Sequence, residues 1–164
     1  MTIRIVLILA SVTAACQPAG PSSVDMPVDS AAGEVAFELV GPNDAAILVP
    51  VTVNGRDTLD FVLDTGATMT CIDQALADSL GLQELRGVIG MGAGAGGGGR
   101  LRMIEFDSLR VGGATARGLP GCTVDLSHVQ EIGLAADGLL GLNFLKPFRV
   151  TLDFEREVLT LRAR

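Results

Sequence analysis

One carboxylate in this chain is placed where it could do hydrolytic work. Asp64 follows the apolar run Phe61-Val62-Leu63 and precedes Thr65, Gly66, Ala67 and Thr68. An apolar strand would carry this acid to the margin of a core, where water is partly excluded. Gly66 has no side chain, so the backbone can bend tightly there and approach a neighbour or a substrate closely. Thr65 supplies a hydroxyl that can brace the turn. Asp-Thr-Gly is also an ordinary turn composition in β proteins, so the tripeptide takes its meaning from its surroundings.

Other chemistries find little support. His128 is the single histidine; without partners it reads as a surface or loop residue. There is no Cys-x-x-Cys and no His-Glu-x-x-His, so no metal is expected, and no cofactor motif calls for one. No Gly-x-Ser-x-Gly elbow is present. The glycine run at 87–100 lacks the Gly-Lys-Ser/Thr ending of a phosphate-binding loop. Net charge is −7 and the basic residues form no cluster along the sequence, which argues against nucleic acid as a partner.

The elements that must position Asp64 are short strands. The chain has 164 residues, 21 of them glycine, and no Trp or Tyr. That composition favours one β domain with tight turns over long helices. Val35 to Val40 and Ile47 to Val53 read as strands, and Asn54-Gly55 as a hairpin turn, since both residues tolerate positive φ. The returning strand, Thr58 to Leu63, runs into Asp64. Met69 to Ile72 is extended. Asp73 can cap a short helix from Gln74 to Leu80 that Gly81 ends, with Leu76 and Leu80 on its buried face.

Gly87 to Arg100 has too few side chains to build a core and suits a mobile loop or hairpin tip. Leu101 to Val111 is a strand that Gly112-Gly113 reverses. Ala114 to Arg117 and Thr123 to Leu126 are shorter extended segments. Gly138 to Leu145 holds a short helical turn. Arg149 to Phe154 and Glu157 to Arg162 alternate and form a closing hairpin.

In this context Asp64-Thr65-Gly66-Ala67 after an apolar strand resembles the catalytic loop of the retropepsin-like aspartic proteases. Asp137-Gly138-Leu139-Leu140-Gly141-Leu142-Asn143-Phe144-Leu145 resembles the hydrophobic-hydrophobic-Gly segment that packs beneath that loop. The glycine-rich stretch with Ile89, Gly90, Met91 and Gly92 lies where the family carries its flap, although residues 92–99 hold only Gly and Ala. The likeness spans about residues 35–162. It implies an all-β fold, a small closed or orthogonal barrel of the acid-protease type with one or two short helices. It further implies an aspartic endopeptidase acting on extended peptide or protein substrates.

A lone carboxylate cannot be acid and base at once, and the chain has one Asp-Thr-Gly. Asp137 lacks the following Thr and reads as structural. The resemblance therefore implies a homodimer, with Asp64 meeting its copy across a twofold axis and Thr65 bonding across it. Thr65, Gly66, Ala67 and Thr68 would support the loop, and Leu139, Leu140 and Gly141 would pack under it. Val62, Ile89, Met91 and Leu140 are candidates to line apolar subsites. The alternative is a module of the same fold that binds peptides or envelope partners without cutting them.

The N-terminus reads as export signals. Arg4, the apolar run Ile5 to Ala15 and small residues at Ala14 and Ala15 follow the order of a signal peptide over residues 1–15. Thr13-Ala14-Ala15-Cys16 resembles a bacterial lipobox whose Cys16 is acylated, although Thr13 departs from the usual Leu and ordinary cleavage near Ala15 stays open. The Pro-, Ser- and Gly-rich stretch to residue 33 reads as a tether, with the domain over 34–164. With Gln17 following the lipid, the resemblance to Gram-negative lipoproteins implies a periplasm-facing, outer-membrane location. Cys71 and Cys122 could form a disulfide in that compartment, or remain two buried thiols.

Overall fold

A computed structural model describes residues 28–30, 33–94, 97–127 and 134–164. Twelve strands occur among them: β1 Val28–Ser30, β2 Gly33–Ala36, β3 Glu38–Val40, β4 Ala46–Val53, β5 Asp57–Leu63, β6 Cys71–Asp73, β7 Gln83–Gly94, β8 Gly97–Val111, β9 Ala114–Val124, β10 Gly138–Leu140, β11 Phe148–Asp153 and β12 Val158–Ala163. Two short helices accompany them, α1 Gln74–Ser79 and α2 Leu142–Leu145. Cys16 and His128 lie outside the described residues.

Six strands close into a barrel in the order β9-β6-β10-β5-β4-β8, with β8 pairing back onto β9. Closure removes exposed edges from these strands. Period-two alternation sends Val49, Val51 and Val53 of β4 inward, where they join Phe61 of β5, Phe106 and Leu109 of β8 and Leu119 of β9, all 0–2% exposed. Burying each such side chain contributes about 1.5–3 kcal/mol. A second sheet, β11-β12-β2, packs Phe148, Leu159 and Leu161 against the same core.

The fold is the mostly-β closed barrel with few helices that the sequence implies, and three local differences have physical causes. The segment read as one strand from Val35 to Val40 is two. β2 pairs with β12 and β3 with β4, and the chain changes sheets at buried Phe37. The Phe37 N–H donates to Glu157 O at 2.9 Å, and its ring meets Phe154 edge-on at 5.8 Å. The glycine-rich stretch is a hairpin tip, one of the two forms its composition suits, and is laddered as far as the Gly94↔Gly97 pair, because strand pairing satisfies the backbone without needing side chains.

The two short segments after Gly113 belong to one strand, β9, which continues through Gly118 at φ +59°. That conformation suits glycine and few other residues. Finally, β1 lies inside the stretch read as tether and pairs with β9, Val28 opposite Ala116.

Asp73 caps α1 as its position suggests, accepting the N–H groups of Ala75 at 2.9 Å and Leu76 at 3.2 Å. Leu76 and Leu80 are half-buried against the core, with Ala77 fully buried between them.

Candidate active site

β5 ends at Leu63 and hands the chain to a seven-residue loop, 64–70, before β6 begins. These two strands do not pair with each other. β10 is inserted between them, parallel to β5 (Leu139↔Val62, Leu140↔Leu63) and antiparallel to β6 (Leu139↔Cys71). The loop thus has one stem on each side of a strand from much later in the sequence. Its entrance is fixed by the Asp64 N–H, which donates to Leu140 O at 3.1 Å.

Asp64 is half-buried and organises its own turn. Its Oδ1 accepts the Gly66 N–H at 2.8 Å and the Ala67 N–H at 3.2 Å. This is an Asx-type turn, the local use of an aspartate side chain in place of a backbone carbonyl. Thr65, Gly66 and Thr68 are exposed at the rim, and Ala67 is half-buried. The loop then rests on α2: Leu142 N–H donates to Ala67 O at 2.8 Å and Asn143 N–H to Thr68 O at 3.1 Å.

Gly141 is the pivot of this contact. A Cβ there would run into the backbone of Met69 and Thr70, so only glycine lets α2 lie this close beneath the loop. Leu140, fully buried, belongs to the core, and Leu139 is half-buried. Val62, also half-buried, lies beside Leu139 across the parallel pair. The structure therefore brings Asp64, Thr65, Gly66, Ala67 and Thr68 together with Leu139, Leu140 and Gly141. Ile89, Gly90, Met91 and Gly92 lie on β7, paired with Arg102, Leu101, Arg100 and Gly99 of β8.

Two residues of the site carry no role in the sequence reading. Thr70 is fully buried. Its hydroxyl donates to Asn143 Oδ1 at 2.9 Å and accepts the Gly141 N–H at 3.1 Å. Its own N–H donates to Asn143 Oδ1 at 2.8 Å, and its carbonyl accepts the Cys122 N–H at 3.1 Å. Asn143 Nδ2 in turn donates to Pro120 O at 2.7 Å. A buried threonine with every polar group satisfied ties the loop exit, α2 and β9 into one unit. The available signal was the Asn following Leu-Leu-Gly-Leu, a polar side chain in an otherwise apolar segment.

Asp137 is structural, as its sequence position suggests. Its Oδ2 accepts the Asp60 N–H at 2.8 Å, its N–H donates to Asp60 O at 2.8 Å, and its carbonyl accepts the Asp73 N–H at 2.7 Å. Cys71 and Cys122 face each other on the parallel pair β6–β9 and are joined as a disulfide, with Cα atoms 4.4 Å apart. The bridge sits one residue past Thr70. It packs with Met103 in a satellite cluster that includes Met69, Leu85 and Leu101, linking the loop exit to the root of the β7–β8 hairpin. No group of three or more metal-ligating side chains occurs among the described residues.

Comparison with known proteins agrees with this geometry. A family model described as aspartyl protease matches residues 49–144, a span running from β4 to α2 and holding the whole loop assembly. A crystal structure of a retropepsin-like aspartic protease from Rickettsia conorii is similar in fold, with a TM-score of 0.54 at 20% identity. It covers 84% of this chain and 95% of its own. The retroviral protease-like domain of Ddi1 from Leishmania major is a further structural match, with a TM-score of 0.45 at 17% identity over 71% of this chain and 92% of its own. No curated protein matches the chain.

Proposed function

This chain belongs to the aspartyl protease family, and from that premise we propose that it is an aspartic endopeptidase whose Asp64 works with Asp64 of a second copy. The observation that carries the proposal is the loop itself. Asp64 is fixed by two backbone N–H groups at a half-buried position, beside an exposed Thr65 and Gly66, and Asp-Thr-Gly occurs once in the chain. Asp137, just before β10, is committed to the Asp60 backbone.

A twofold axis past the exposed rim would set two such loops face to face, with Thr65 available to bond across it. Two carboxylates about 3 Å apart cannot both ionise cheaply and share one proton, the arrangement general to aspartic proteases. The ionised carboxylate takes a proton from a water lying between them. The water oxygen adds to the substrate carbonyl carbon, and the protonated carboxylate gives its proton to the carbonyl oxygen. When the C–N bond breaks, the newly protonated carboxylate supplies the amine nitrogen. Its partner recovers a proton from the tetrahedral diol, so the pair ends as it began. The β7–β8 hairpin would cover an extended peptide, pairing with its backbone.

The test is cleavage of a mixed peptide library from acidic to neutral pH by wild-type protein and Asp64→Asn. Asn keeps an Oδ1 for Gly66 and Ala67, so the fold should persist while pepstatin-sensitive cleavage falls by about 10²–10⁴-fold or more, the scale of an acid-base group. Equal hydrolysis by the variant refutes Asp64 as catalyst. A second reading, peptide capture without cleavage, is favoured by the ladder between Gly92 and Gly99, which carries only Gly and Ala. A strict monomer in analytical ultracentrifugation that still binds library peptides would select it.

We also propose that the domain works outside the cytoplasm, tied to a membrane through acylated Cys16 after loss of residues 1–15. The Cys71–Cys122 bridge supports an oxidising compartment. The intact mass of the mature chain tests the acylation.

A further inference from the structure

We propose that one end of the β11-β12-β2 sheet, carrying Arg149, Arg162 and Arg164, is a docking surface for the anionic phosphate headgroups of a lipid bilayer. Arg149 and Arg162 are directly opposite each other in the antiparallel β11–β12 pair. Cross-strand partners project on the same face, so this is a like-charge pair in contact register, an arrangement that costs free energy. Arg164 follows two residues later, and the three arginines with Ala163 line a shallow recess of about 590 Å³. All three are exposed.

Side-chain carboxylates are missing where they would be needed. No Asp or Glu occurs from Gly138 to Leu152, nor from Val158 to Arg164, although the chain is acidic overall. The acids of this sheet are engaged elsewhere: Asp153 ends β11 away from Arg149, and Glu34, opposite Thr160, is held by Arg156 of the far turn. There Arg156 bonds Glu34 at 3.1 Å and lies 3.9 Å from Asp153, and the Glu34 hydrogen bond raises its pKa above the ordinary guanidinium value. No ion pair to Arg149, Arg162 or Arg164 occurs among the described residues. Arg164 Nε donates to Phe148 O at 3.1 Å, and its remaining donors and those of Arg149 and Arg162 meet no side-chain carboxylate among the described residues, leaving planar forks suited to oxyanions.

A bilayer is the occupant because of where the chain enters. Gly33, the first residue of β2, pairs with Leu161, the residue before Arg162, and β1 just upstream packs against β12. The described chain thus enters at β1, with Val28 opposite Ala116, and reaches Gly33 one rung from the Arg149–Arg162 pair. Eleven residues separate Cys16 from Val28, a span of at most about 40 Å fully extended. An acyl chain on Cys16 would hold this end within that distance of the headgroups. The choice of a lipid surface rests on the anchor proposed at Cys16 and is independent of the protease reading.

The test uses the full-length chain with Cys16→Ser, which removes the acyl group, and vesicles of phosphatidylcholine with or without phosphatidylglycerol. Binding to pure phosphatidylcholine measures any apolar contribution of the N-terminal residues and is common to all variants. Three arginines, each worth roughly fivefold near an anionic surface, should give about a 100-fold preference for the anionic vesicles. The preference should vanish in high salt. Arg149→Gln/Arg162→Gln/Arg164→Gln should lose it and the triple Lys variant should keep it, with unchanged far-UV circular dichroism in both. An undiminished preference in the Gln variant overturns the proposal. So does displacement by millimolar inorganic phosphate but not by chloride at equal ionic strength, which would mark a discrete free-phosphate site instead. Peptide cleavage plays no part in the readout, and loss of acylation in the cell would leave it unaltered.

Discussion

Thr70→Val would remove one oxygen from the centre of the network under the Asp64 loop and leave its shape intact. The lost hydroxyl donates to Asn143 Oδ1 at 2.9 Å and accepts the Gly141 N–H at 3.1 Å, inside a residue with no exposed surface. Asn143 Oδ1 keeps the Thr70 N–H, so that acceptor loses only one of two donors, a net loss of about 0.5–1.5 kcal/mol. The Gly141 N–H is different. It is left buried without a partner, at a cost of about 1–3 kcal/mol. The two effects together predict a destabilisation of about 2–4 kcal/mol.

The chain has no Trp or Tyr, so the assay is urea unfolding followed by far-UV circular dichroism at fixed protein concentration with the disulfide intact. Asn143→Ala should cost at least as much, since Thr70 N–H, Thr70 Oγ1 and Pro120 O all lose it. The double variant should be well short of additive, because both changes break the same network. A Thr70→Val destabilisation below about 0.5 kcal/mol, or additive costs in the double variant, would refute the claim that this network binds the loop to α2 and β9.

Reducing the Cys71–Cys122 bridge, which closes a loop of sequence separation 51, should lower stability by about 4 kcal/mol on the chain-entropy account. The shift in urea midpoint on adding dithiothreitol to wild type, with none in Cys71→Ala/Cys122→Ala, measures it. Gly141→Ala forces a methyl group into the Met69 backbone and should cost about 3 kcal/mol or more, beyond the usual range for overpacking because backbone cannot rotate away. A thermal melt within a degree or two of wild type would contradict the close approach. Asp137→Ala strips the Asp60 N–H of its partner and should cost about 1–2 kcal/mol, with peptide cleavage retained per folded molecule; loss of cleavage at full stability would give Asp137 a chemical role.

Sequence made the main outline legible because the strongest signals were local. The β-branched run Ile47–Val53, the Asn54-Gly55 turn and the alternation of Arg149–Phe154 each encode one element. Asp73 as a cap and Asp137 as a turn residue followed from side-chain chemistry alone. What sequence hid was non-local. Phe37 divides a strand only because two different sheets claim its neighbours. The 87–100 ladder depends on backbone pairing that glycine does not advertise. Thr70 looks like any strand residue until Asn143, 73 positions later, arrives beside it. The arginine end is invisible along the chain, since Arg149 and Arg162 meet only through the hairpin register.

The wedge of β10 between β5 and β6 has a consequence for biosynthesis. A ribosome has already released some four-fifths of the polypeptide when Leu140 appears, and until then the Asp64 backbone has no carbonyl to hold it. Maturation of the Asp64 loop is thus postponed to the final stage of chain assembly, since pairings of such long separation form slowly. A nascent or prematurely terminated copy lacks the carbonyl that fixes the Asp64 backbone.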